Sequence, residues 1–122
     1  MMVVSSFFEN VARNRAEGRE LADGEQPENL VLRFDPAGGQ IMLVACLWSR
    51  WIGADGEELL SFAAITDEPP PEVSAAGHDR CIVPIKATHI DAWFRPDKSD
   101  LPSLYAILDD RERPYYEHRL AA

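Results

Sequence analysis

The chain has 122 residues, enough for one compact domain and too few for two. Hydrophobic residues make up 46% and charged residues 27%, which excludes wholesale disorder, and no apolar run reaches the length of a membrane span. The formal net charge of −9 speaks against a generally basic nucleic-acid binder. Yet residues 51–72 alone hold Asp55, Glu57, Glu58, Asp67, Glu68 and Glu72 with no Lys or Arg; of the 21 acids, 15 remain for the other hundred residues against 12 bases, so a local basic groove stays open.

In chain order, the apolar start Met1–Phe8 has neither a basic beginning nor a small-residue cleavage site, which reads as a cytoplasmic protein without a signal peptide. Residues 11–29 are polar and read as a long surface loop with a short helix around Ala12–Leu21. Asn29–Phe34 and Gln40–Trp48 read as strands joined by the turn Asp35-Pro36-Ala37-Gly38-Gly39. Ile41–Trp48 is apolar on both faces, which predicts a central strand covered on both sides. After a turn at Gly53-Ala54-Asp55-Gly56, Leu59–Ile65 reads as a third strand, and Pro69-Pro70-Pro71 as a rigid extended connection. Cys81–Ile85, with Pro84 inside it, reads as a short edge strand. Thr88 and Asp91 suggest a capping box before a helix through Phe94. Leu101, Leu104, Tyr105 and Leu108 recur at helical spacing and predict a helix over Leu101–Asp109 with Pro102 in its first turn, and Tyr115–Arg119 reads as a last strand. Strands followed by short helices make a β-rich α+β domain spanning residues 1–122.

Few residues are candidates for chemistry. Glu9 follows Phe7 and Phe8; a carboxylate beside aromatic rings is partly desolvated, which suits acid–base work, while the plainer reading is a strand-end Glu facing water. His78 lies in Gly77-His78-Asp79-Arg80; it is a side chain matched to proton transfer near neutral pH, and Arg80 can grip a phosphate or carboxylate with two hydrogen bonds. The alternative there is a solvated turn with a surface ion pair. Trp48, Trp51 and Trp93 read as core anchors or, alternatively, as platforms for unpaired bases. His89 and His118 are weaker candidates. The histidines and the two cysteines, Cys46 and Cys81, have no metal-ligand spacing, so no metal or other cofactor is expected, and the cysteines read as reduced, buried thiols.

Together these pieces resemble the SOS-response-associated peptidase family, also called abasic-site processing proteins. Phe7-Phe8-Glu9 is similar to the family's aromatic-aromatic-Glu element, Ile41–Trp48 with Trp51 to its strand ending in Gly-Leu-Trp, and Phe62–Thr66 to its Phe-x-x-Ile-Thr strand. His78-Asp79-Arg80, with Trp93 fifteen residues after the histidine, resembles the His-Asp-Arg-Met-Pro element and the tryptophan of the following helix. The resemblance implies a β-rich α+β fold and binding of single-stranded DNA. It also implies a covalent link between the ring-opened aldehyde of an abasic site and a cysteine exposed when the initiator Met is removed. By the same resemblance Glu9 and His78 would handle proton transfers, while Arg80, Trp48 and Trp51 would hold the strand. Position 2 is Met2, not cysteine, and Cys81-Ile82-Val83-Pro84 departs from Met-Pro. The expectation is therefore the C-terminal portion of a family domain, incomplete at its N-terminus and without its nucleophile. The alternative is a non-catalytic DNA-binding or interaction module, half of a split protein. Either way, exposed strand edges predict self-association or a partner chain.

Overall fold

The structure is a computed structural model that describes residues 1–121. Among these, nine strands and four α-helices follow in chain order, with short 3-10 turns at Ala37–Gly39 and Ala87–His89: β1 (Met2–Val4), β2 (Phe7–Ala12), α1 (Arg13–Ala16), β3 (Asn29–Pro36), β4 (Met42–Val44), β5 (Cys46–Ile52), β6 (Glu58–Ala64), β7 (Thr66–Asp67), α2 (Pro71–Ala75), β8 (Cys81–Ile82), α3 (Ile90–Phe94), α4 (Leu101–Asp109) and β9 (Tyr116–Leu120). The fold is mixed α+β and strand-rich, as the sequence predicts. No helix among the described residues is long and apolar enough to cross a membrane. The chain divides into two compact units, one of Met1–Val3, Met42–Thr66 and Ile82–Glu112, the other of Val4–Ile41, Asp67–Cys81 and Arg113–Ala122.

The second unit is built on an antiparallel sheet in the order β2-β3-β9. Alternation sets its core. Leu32, Phe34 and Pro36 point inward from β3, and Phe7 and Val11 from β2. Phe7 faces Phe34 across the ladder, and the two rings stack at 5.0 Å with the Tyr116 ring edge-on to Phe7 at 5.2 Å. The polar stretch after α1 is tied down locally. Arg19 reaches Glu17 and both oxygens of Glu25, and Arg13 clasps Glu28. The three prolines do not form an extended rod. Pro71 occupies the first turn of α2, where a proline's missing N–H costs no helical bond. The Glu72 carboxylate of α2 accepts the Tyr116 amide at 3.0 Å, which pins the helix to the sheet.

In the first unit the apolar 41–48 segment is not one strand covered on both faces. It breaks at Ala45, whose N–H donates to Val83 while its carbonyl accepts from Ile65. β4 carries the buried Met42 and Val44, whereas β5 runs out into a two-stranded hairpin with β6 and exposes every residue after Cys46. The core here is Ala45, Ile85 and Ile107, packed by Leu43, Ile65, Trp93, Leu104 and Leu108. α4 has the expected bounds, capped by Asp100, whose side chain accepts from the Ser103 amide. Its inward stripe is Leu104, Ile107 and Leu108, while Leu101 and Tyr105 are exposed. No side-chain cap forms ahead of α3, so Thr88 does not build a capping box. Cys81–Ile85 is strand only over Cys81–Ile82, and beyond it Pro84 and Ile85 make single bridges to Val44 and Arg111.

Candidate functional site

Glu9 and His78 are far apart in the sequence but meet in the second unit. On β2 the residues Phe7, Glu9 and Val11 share the inward face, so Glu9 sits between two buried side chains rather than facing open water. The plainer reading of a solvated strand-end carboxylate therefore does not hold.

His78 is delivered by the turn after α2. Gly77 adopts φ +96°, and a Cβ there would lie 2.8 Å from Val11 Cγ1, 3.0 Å from Arg15 Cβ and 3.1 Å from the Ala16 amide nitrogen. Only glycine lets this turn close down on the junction of β2 and α1. The next residue then places its imidazole Nε2 3.2 Å from Glu9 Oε2, both side chains being largely buried, 17% and 25% exposed. The part Gly77 plays is not legible in the sequence beyond its place directly before the candidate histidine.

The other ring nitrogen is held by the backbone. His78 Nδ1 lies 2.8 Å from the Arg80 carbonyl oxygen and 3.3 Å from the Arg80 amide. When Nδ1 carries a proton it donates to the carbonyl; when it does not, it accepts from the amide. The backbone thus anchors Nδ1 and turns Nε2 toward the carboxylate, to which Nε2–H can donate. A carboxylate and an imidazole sharing a proton in this geometry can act as an acid–base unit. An open cleft of about 470 Å³ borders the pair on the histidine side, lined by Arg15, Arg19, Ser74, His78 and Asp79 among others.

The remaining candidates lie elsewhere. The Arg80 side chain is exposed in the second unit, and its backbone is what orients His78. Trp48 and Trp51 belong to β5 of the first unit and are 73% and 59% exposed, so the core reading fails for both; Trp93 alone packs against a core. His89 binds Asp110 at 2.8 Å, and Lys86 and His89 together hold that carboxyl below its usual range. The His118 ring lies 5.6 Å from that of Phe34. Cys46 and Cys81 are buried and unbridged. Among the described residues no cluster of three or more His, Cys, Asp or Glu is placed to hold a metal ion.

A strand-rich α+β fold thus brings an aromatic-flanked glutamate onto a histidine of a Gly-His-Asp-Arg turn. Residues 1–120 match the SOS response associated peptidase (SRAP) family, and the chain belongs to it. No curated protein matches the chain. Among solved structures it is similar to a Bordetella bronchiseptica protein determined by X-ray crystallography in structural genomics, at 19% identity and a TM-score of 0.64. That match covers 99% of this chain and 53% of the other, so the chain spans about half the length of the solved protein.

Proposed function

We propose that the Glu9–His78 pair is the proton-transfer centre of a protein that acts on abasic sites in single-stranded DNA. The observation that carries the reading is the 3.2 Å approach of His78 Nε2 to Glu9 Oε2 beside an open cleft. Strand scission at a ring-opened abasic site needs no protein nucleophile: a base takes the proton from the carbon beside the aldehyde, a carbon–carbon double bond forms as the 3′ carbon–oxygen bond breaks, and the departing phosphate oxygen receives a proton. An imidazole held on both nitrogens, against a carboxylate, supplies both. Family membership supports a DNA-related role, and the exposed Arg80 guanidinium beside His78 fits a contact to the strand's phosphate backbone. A thiol adduct is not assigned to this chain, since position 2 is methionine and both cysteines are buried.

The test uses an oligonucleotide carrying one abasic site, at low salt, with strand scission read on a denaturing gel. The wild-type chain is expected to process the lesion strand and not the intact strand. Glu9→Gln and His78→Gln should each lower that rate by roughly 10²-fold while leaving strand binding in place. Lesion processing that survives both substitutions would sink the assignment. A second reading, a binding module without catalysis, is favoured by the net charge of −9 and the exposed β5–β6 hairpin. It predicts salt-sensitive strand binding, or a protein partner, with no lesion-dependent chemistry.

A further inference from the structure

The β5–β6 hairpin presents two different faces. One carries Trp48, Arg50, Ile52, Glu58, Leu60 and Phe62, with Arg50 and Glu58 paired at 2.5 Å. The other consists of Leu47, Ser49 and Trp51 opposite Ala63, Ser61 and Leu59. All six residues of this second face are exposed, with Leu47, Trp51 and Leu59 at 65%, 59% and 57%, and none is charged. An isolated two-stranded hairpin with open apolar surface is not stable by itself in water.

We propose that this charge-free face is an isologous docking surface for a second copy of the chain. Three observations select that occupant. The first is size. A two-fold axis crossing the strands at Ser49 and Ser61 lays each hairpin antiparallel on its copy, so that Trp51 covers Leu47 and Leu59 covers Ala63 at both ends. Large side chains then meet smaller ones, and the serines meet at the centre. The second is charge. Two chains of −9 repel each other, and this face lets them meet without opposing carboxylates; the acidic turn at Asp55, Glu57 and Glu58 of one hairpin falls at the far end of the other. A nucleic-acid strand is disfavoured by the same tally, because residues 51–72 offer it no Lys or Arg. The third is area. Two leucines and a tryptophan, with the small residues between them, would bury roughly 500 Å² per copy, which places the dimer at the weak end of specific interfaces, with Kd on the order of 10 µM. Trp48, on the opposite face, is left uncovered.

Sedimentation equilibrium of the full chain from about 1 to 200 µM tests this. The expected result is a monomer–dimer equilibrium that strengthens as salt screens the like charges. Leu59→Lys, and separately Ser61→Glu, which adds charge without deleting apolar surface, should each weaken it at least tenfold. Leu60→Lys on the opposite face should leave it unchanged, with far-UV circular dichroism showing all three folded. The proposal is overturned by a monomer throughout that range, or by a dimer that ignores Leu59→Lys and Ser61→Glu or is lost with Leu60→Lys. Tighter binding of a single-stranded oligonucleotide by Leu59→Lys with no protein dimer also overturns it, and makes the face a nucleic-acid platform instead.

Discussion

Replacing Gly77 by alanine isolates what seats the histidine turn. The residue sits at φ +96°, where an L side chain costs about 1–2 kcal/mol. Its new methyl would also meet Val11 Cγ1 at 2.8 Å and the Ala16 amide nitrogen at 3.1 Å, and backbone cannot swing aside as a flexible side chain can. Overpacking of that kind adds about 1–3 kcal/mol, so Gly77→Ala should cost about 2–5 kcal/mol in total. In urea, at a slope of about 2 kcal/mol per molar, the unfolding midpoint should fall by about 1–2.5 M. Gly38→Ala is the control, since Gly38 has φ +79° but nothing within 4 Å of the added methyl, and it should show the conformational cost alone. The same substitution at Gly77 should push His78 off Glu9 and lower lesion processing. If Gly77→Ala is no worse than Gly38→Ala, the close approach to β2 and α1 is not what places the imidazole.

Phe34→Ala removes a fully buried ring stacked on Phe7 and should cost about 3–5 kcal/mol, read from the same urea curves. Glu25 is held at about 2 by Arg19 and by the Ala22 amide. Because its affinity for protons is lower in the folded chain, its contribution is present above the ordinary carboxylate value of 4.5 and lost as pH falls toward 2. The protection of the Ala22 amide against exchange, relative to its intrinsic rate at each pH, should therefore fall over that window at unchanged global fold, and Glu25→Gln should abolish the step. Burial, with Cys81 and Glu72 beside it, holds the Tyr116 hydroxyl above its ordinary value of 10. The neutral phenol favours the folded chain, so stability should decline as pH rises above 10, and Tyr116→Phe should flatten that decline in circular dichroism.

How far the sequence could be read depended on whether the signal was local. The bounds of α4 follow from Asp100, Pro102 and helical spacing, all within one short segment. The turn at Gly53–Gly56 and the strand at Leu59–Ile65 were similarly legible. Coverage was not. The 41–48 run looks like a buried strand because its residues are apolar, but hydrophobicity does not say whether a neighbour exists, and β5 is exposed at every residue after Cys46. The same gap misplaced Trp48 and Trp51. A run of three prolines, Pro69-Pro70-Pro71, favours an extended backbone when viewed as a whole, whereas its last member starts a helix. The meeting of Glu9 and His78 was legible only through a family resemblance. The alternation on β2 says which face Glu9 shares with Phe7 and Val11, but nothing local says that a turn beyond α2 closes on it. Gly77, which makes that closure possible, carries no side chain to draw attention.

Whether Glu9 and His78 work as one unit is measured most directly by a double-mutant cycle in abasic-strand processing. Rates are compared for the wild-type chain, Glu9→Gln, His78→Gln and the double substitution under single-turnover conditions. Groups that share one proton across 3.2 Å should be strongly non-additive, so the double variant should be about as slow as either single one. Losses that multiply, or a wild-type chain with no lesion-dependent rate, would contradict the assignment.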